Sequence, residues 1–409
     1  MEKLFLNKKL IYFIKNNFYI SFFSALGSIA SYLVQIYTGR IFGLNEYSLF
    51  STINNLIALI IIPISILSII NVKFISQNNF DDGKRFFSNF FFFVILFISI
   101  VLISIIIFKN WIFNNIINTS NLKILPYFIS FLVCTILLTV FQSLFQGQKR
   151  YIHFAIFGNS IQILKITLII SFAYFFSVTI DNIFMIITIS YTLVFIFFLK
   201  NIINSLNLKN IIFNYDTFNF FKKNIGNFLI TIFYLSFLTN GDIVIARILL
   251  EPNLAGYFTG NSVLAKTILI INGFFIHFLF AEGTTTESNF NLLFTIFLSS
   301  LIGMLIIIIF YFIQNELISF TYNKIYPEEY QNLVILGINY FLLSLNTMLL
   351  HNNLARKKYN IFKFIIVIVL TFFLLTYLFH DYYNIIINFL TINIITFIYL
   401  LNKNFKVMS

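Results

Sequence analysis

Charge is what this chain has least of. Asp, Glu, Lys and Arg make up only 10% of its 409 residues, whereas 59% are hydrophobic and the mean hydropathy is +0.93. So few polar groups cannot cover a water-soluble domain of this size, so the bilayer is the solvent the composition calls for. Cysteine is nearly missing too: Cys134 stands alone in an apolar run, which excludes an internal disulfide and a thiolate metal site. Of the four prolines only Pro63 lies deep inside an apolar run, where a kink that could serve as a hinge is expected. His153, His277, His351 and His380 show no metal-ligand spacing, and no Walker-type Gly-Lys-Ser/Thr loop occurs. No polar stretch is long enough to hold a nucleotide-binding domain. These absences point away from an enzyme, a metal site or a bound cofactor, and leave an ion gradient or the substrate's own gradient as the energy source.

What is present is grease. Phenylalanine alone occurs 58 times, most of it expected to face lipid, and the scarcity of alanine beside abundant Ile and Asn fits A+T-rich codon usage at positions that need only be apolar. The net charge of +12 does not signal nucleic acid, because the basic residues sit in short loops between apolar runs instead of on a soluble face. Runs long enough for about 20 residues of membrane helix fall near 18–41, 50–70, 86–108, 124–145, 154–176, 183–199, 226–249, 257–280, 291–313, 333–354, 361–379 and 384–401. The stretch after the basic start continues to Ile41, too long for a signal-peptide core, and is read as an uncleaved first span.

Lysine and arginine report the orientation. With the amino terminus inside, the inner segments hold Lys3, Lys8, Lys9 and Lys15; Lys73, Lys84 and Arg85; Lys149 and Arg150; Lys200, Lys209, Lys222 and Lys223; Arg356, Lys357, Lys358 and Lys363; Lys403 and Lys406. The outer segments hold only Arg40, Lys109, Lys123, Arg247 and Lys324. A multi-pass protein of the inner (cytoplasmic) membrane with both termini cytoplasmic is expected.

A repeat is visible at an offset of about half the chain. Arg40-Ile41, Tyr47 and Phe50-Ser51 recur as Arg247-Ile248, Tyr257 and Phe258-Thr259, and Lys149-Arg150-Tyr151 recurs as Lys357-Lys358-Tyr359. Each half has an even number of spans, so the halves insert in the same orientation, related by an axis along the membrane normal. The expected fold class is therefore all-α and polytopic: about twelve transmembrane helices in two parallel six-helix bundles, 1–210 and 211–409, around a central cavity.

Ionisable groups deep in hydrocarbon are the candidates for function, at roughly 2.5–3.5 kcal/mol each on insertion scales. Lys165 lies about 16 Å into the fifth span by helical rise, near the midplane, where snorkelling is difficult. It reads either as a cation that attracts an anionic headgroup or as a hydrogen-bond donor to a neighbouring helix. Asp242 and Lys266 lie at similar depth on consecutive antiparallel spans and can pair, either as a structural ion pair or as a proton-exchanging carboxylate that periodically frees the lysine. Arg40 and Arg247 occupy repeat-related outer ends and read as interface anchors or as the lining of the cavity mouth, whichever role one has being mirrored by the other. Ser21, Ser24, Ala25, Ser28, Ser31 and Gln35 give the first span a small, polar stripe, suited to close packing or to the pathway. Asn54 and Asn55 suggest a wetted outer half of the second span, and His277 is read as a buried hydrogen-bonded residue near the inner end of the eighth.

Several of these residues fall in longer motifs: Gly39-Arg40-Ile41-Phe42-Gly43 followed by Glu46-Tyr47-Ser48-Leu49-Phe50; Gln142 to Tyr151 leading into Gln162-Ile163-Leu164-Lys165; Asp242 to Phe258 with Val263-Leu264-Ala265-Lys266; and the turn Ala355-Arg356-Lys357-Lys358. In this order the chain resembles polysaccharide flippases of the Wzx type, in the multidrug/oligosaccharidyl-lipid/polysaccharide (MOP) exporter superfamily. It departs from the motif at Ser48, where the family usually has glycine. The resemblance implies alternating-access flipping of undecaprenyl-diphosphate-linked oligosaccharide repeat units to the periplasmic leaflet for O-antigen or other surface polysaccharide, coupled to H+ or Na+. It also implies a polysaccharide polymerase and a chain-length regulator as partners, and a cavity role for Lys165, Asp242, Arg247 and Lys266. Two competitors are a multidrug exporter of the same superfamily, whose cavity would be more acidic, and an O-antigen polymerase, whose large arginine-bearing outer loop is missing here.

Overall fold

The computed structural model describes residues 2–78, 80–205, 215–270, 290–324, 326–355 and 362–405. Among them the chain is helical with no strand, as a backbone without water to bond to must be. The helices are α1 (Glu2–Ile41), α2 (Leu44–Ile60), α3 (Ile62–Gln77), α4 (Phe80–Ile107), α5 (Leu125–Gly147), α6 (Tyr151–Phe175), α7 (Ile180–Ser205), α8 (Tyr215–Leu249), α9 (Pro252–Ala265), α10 (Phe290–Tyr322), α11 (Leu333–Ala355), α12 (Phe362–Leu378) and α13 (Tyr382–Phe405). Every expected apolar window coincides with a helix as far as the described residues reach. Among the described residues eight helices are long and apolar enough to cross a membrane, or nine with α2 and α3 taken as one span.

Proline placement explains several boundaries. Pro63, Pro126 and Pro252 sit in the first turns of α3, α5 and α9, where a missing N–H leaves no bond unmade. Beside Pro63 the chain bends by 46° between α2 and α3.

The chain forms two compact units. The first comprises Met1–Gln35, Ile60–Asn114 and Thr119–Gly226; in it α3 packs on α4 and α5, and α5 on α6 and α7. The second comprises Ile36–Leu59, Asn115–Asn118 and Asn227–Ser409, where α11 packs against α9, α10 and α13, and α12 against α13. The domain boundary expected at 210/211 falls outside the described residues, as do His277 and the basic turn at 356–358.

Apolar side chains point outward over much of the surface, with Ile107 at 67% and Phe197 at 79% exposure; these meet lipid and need no partner. Polar side chains turn inward instead. Asn339, Asn346 and Asn353 recur at seven-residue intervals on α11 and are all buried. Between α11 and α13 the Asn393 amide donates to Asn339 Oδ1 at 2.6 Å, and Asn346 Nδ2 donates to the Asn393 carbonyl at 3.0 Å. Asn352 likewise donates to Asn404 at 3.1 Å. Interhelical amides of this kind contribute about 0.6–2 kcal/mol each in bilayers. Replacing the Asn393 side chain strands Asn339 Oδ1 while Asn346 keeps the main-chain carbonyl, so Asn393→Ala should destabilise the protein by roughly 1–3 kcal/mol, read as a lower thermal unfolding midpoint in detergent than that of an Ile394→Ala control.

Candidate functional site

Asp242 lies on α8, 1% exposed, and its carboxylate is enclosed by three donors. Lys266, at the carboxyl end of α9, approaches Oδ1 at 2.9 Å. Ser262 donates to Oδ2 at 2.6 Å, and the Tyr340 hydroxyl of α11 also donates to Oδ2. Ser262 and Lys266 reach the same carboxylate because a four-residue separation puts them on one helix face. The Lys266 ammonium also lies 5.4 Å from the centre of the Tyr340 ring. The pair is locally neutral and fully bonded on its acid side, which leaves the lysine, 17% exposed, as its accessible end.

Lys165 is different. It sits on α6, 6% exposed, inside the first unit. Its ammonium lies 4.7 Å from the ring centre of Tyr191 and 5.2 Å from that of Phe131, and it donates to the Tyr191 hydroxyl at 3.5 Å. Among the described residues the one ion pair is Asp242–Lys266, so no carboxylate neutralises Lys165. Two ring faces contribute about 0.5–2 kcal/mol each, against roughly 2.5–3.5 kcal/mol for the charge at this depth. The aromatic box makes the cation tolerable without cancelling it.

The two arginines expected to mirror one another are engaged by main-chain carbonyls. Arg40 is exposed, and its guanidinium donates to the carbonyls of Thr321, at 2.8 Å, and Phe320 at the end of α10. Arg247 is 1% exposed and donates to the carbonyls of Ile117 at 2.9 Å and Asn118 at 3.0 Å, with longer contacts to Ser48 Oγ and the Asn45 carbonyl. Asn54 and Asn55 are half-buried and return their amides to the Phe50 and Ser51 carbonyls of their own helix. Gln35 is half-buried on α1, as are Ser24, Ala25, Ser28 and Ser31; the Ser21 side chain lies outside the described residues.

Pairing of Asp242 with Lys266 follows from depth alone, and Ser262 follows from its spacing to Lys266. Tyr340, Tyr191 and Phe131 come from distant sequence and carried no signal, since aromatics are everywhere in this chain. Lys324, expected only as a charge in an outer loop, also has a structural role: it donates to the carbonyls of Gly39, at 2.6 Å, and Phe42 at the end of α1. Burial shifts its ammonium below the ordinary lysine range, and Glu46 opposes that shift.

Removing one partner of a buried pair leaves the other charge uncompensated, at about 3–5 kcal/mol. Asp242→Ala should therefore lower folded yield and thermal midpoint sharply, and the double change with Lys266→Met should recover most of the loss; independent, additive effects in that cycle would show that the two side chains do not act as a pair.

No family model matches the sequence, and no curated protein matches it either. Solved structures do match. A lipid II flippase MurJ in an inward closed conformation superposes with a TM-score of 0.75 at 16% identity, covering 97% of this chain and 88% of that one. An inward-facing multidrug resistance MATE family transporter of the MOP superfamily gives 0.68 at 12% identity, covering 92% and 94%, and the eukaryotic MATE transporter AtDTX14 gives 0.61 at 14%, covering 95% of each. The chain thus has the fold of MOP-superfamily transporters, a multi-pass all-α membrane architecture.

Proposed function

We infer that this protein is a flippase for an anionic lipid-linked oligosaccharide, exposing its polar interior alternately to the two sides of the bilayer. The observation that carries the reading is Lys165: a buried lysine inside the first unit with no carboxylate partner among the described residues. An ammonium held by two ring faces and one long hydrogen bond to a hydroxyl has electrostatic capacity left over, and a diphosphate headgroup is the kind of anion that would use it. The fold supports this reading, because a lipid II flippase is among the structures that share it.

The substrate proposed is an undecaprenyl-diphosphate-linked repeat unit moving from the cytoplasmic to the periplasmic leaflet of the inner membrane, with both chain termini in the cytoplasm. A polymerase and a chain-length regulator would then act on the delivered unit. Within the second unit Lys266 is held by Asp242 yet partly exposed, and a proton or sodium gradient is the proposed driving force. A multidrug exporter for organic cations would place uncompensated negative charge inside, and the buried charges here have the opposite balance.

In cells that depend on this protein for surface glycan, Lys165→Met should cut surface polysaccharide at least tenfold and let the lipid-linked precursor accumulate, while membrane levels of the protein stay unchanged. Normal surface glycan in that strain would refute the role assigned to Lys165. Exchanging the pair, Asp242→Lys with Lys266→Asp, should retain folded protein; retained transport as well would identify the pair as structural, and lost transport would place it in ion coupling.

A further inference from the structure

The outer ends of the first and seventh spans hold a device that the substrate reading does not use. An α-helix leaves its last four carbonyls without partners, and those carbonyls form the negative end of its dipole. In most helices water, a glycine turn or a residue of the same helix satisfies them. Here cations from the other half of the sequence do so.

Arg40, on the last turn of α1, donates to the final carbonyls of α10, while Lys324, two residues beyond α10, donates to the carbonyls of Gly39 and Phe42 at the end of α1. The two helix ends therefore cap each other. In the repeat-related position Arg247, on the last turn of α8, donates to the carbonyls of Ile117 and Asn118, which follow the π-helical turn Ile112–Ile116 that extends α4. The backbone endings match as well. Asn118 and Asn323 both take a left-handed conformation with φ of 54°, and the residue before each, Ile117 and Tyr322, is fully buried. Asparagine is among the few residues that accept that conformation readily, so each ending is a defined stop that aims its carbonyls at the arginine. All the groups in both sets belong to the second compact unit.

We propose that these exchanged caps are a pair of clasps that hold this face of the protein closed, and that both must open for the face to admit water during transport. The proposal rests on the alternating-access reading above. The reciprocity gives it cooperativity: separating α1 from α10 breaks the Arg40 and Lys324 bonds together and leaves carbonyls at both helix ends bare. Arg247 meets three main-chain carbonyls and one hydroxyl, a fan of acceptors that a guanidinium reaches with three nitrogens and a lysine, with one nitrogen, does not.

The test uses purified full-length protein in detergent in a Cys134→Ala background, with Ile117→Cys or Ile318→Cys as a reporter beside each clasp. Both reporter positions are at most 1% exposed, and neither replacement removes a carbonyl from the clasps. A water-soluble maleimide should label them slowly. Arg247→Lys should raise the labelling rate of the Ile117→Cys reporter at least fivefold, and Arg40→Gln should do the same for the Ile318→Cys reporter. Unchanged rates in variants that elute as folded monodisperse protein would overturn the proposal. If a variant does not fold, the reporter proteins without it decide the matter: labelling in cells that are exporting glycan should proceed at a measurable rate, and export with no labelling at either position would overturn the proposal equally. Loss of export in Lys165→Met with unchanged reporter rates would separate a failure of substrate binding from a failure of the clasps.

Discussion

Hydrocarbon offers no hydrogen bonds, and the main polar networks of this protein are arranged around that constraint. Within a span the helix satisfies its own backbone, but side-chain amides, charges and helix ends still need a partner, from their own helix or from another part of the chain. The Asn339–Asn393–Asn346 network, the three donors around Asp242 and the arginines on main-chain carbonyls are three answers to the same demand. Lys165 is a charge met differently: its partners are two ring faces and one distant hydroxyl. An incompletely neutralised group in such a setting is where a ligand has most to contribute.

The same constraint made much of the fold legible from sequence. Spans announce themselves by length and hydropathy, because nothing else can cross a bilayer, and all twelve windows land on helices as far as these are described. Pro63 as a kink within the second apolar run was also readable, since a ring without an N–H cannot continue a helix through its interior. Depth arithmetic was enough to bring Asp242 and Lys266 together. The arginines were harder. Their repeat relationship was visible, but their targets are backbone carbonyls, and a carbonyl has no letter in a sequence. For the same reason Lys324 stood out only as a loop charge. Tyr340 and Tyr191 were invisible for the opposite reason, being two of 22 tyrosines with no pattern to set them apart.

Asn54 and Asn55 illustrate how a polar residue can be tolerated in a span without marking a pathway. Each folds its amide back onto a carbonyl four residues earlier, at 3.0 and 2.7 Å, which silences the group within its own helix. Serines and threonines across the chain do the same. Counting polar residues in a span therefore overstates its wetness, and the informative residues are those whose bonds leave their own helix.

The two arginine caps differ in one respect that has a dynamical consequence. Arg40 is exposed at the protein surface and Arg247 is enclosed at 1% exposure. Dissolved ions screen a charge beside a helix terminus when that charge is wet, and reach it far less when it is enclosed. Where ions reach the exposed α1–α10 end, raising ionic strength loosens it before the enclosed α8 end, which sets an order of release: the exposed junction yields first, and the enclosed one is the last tie to part.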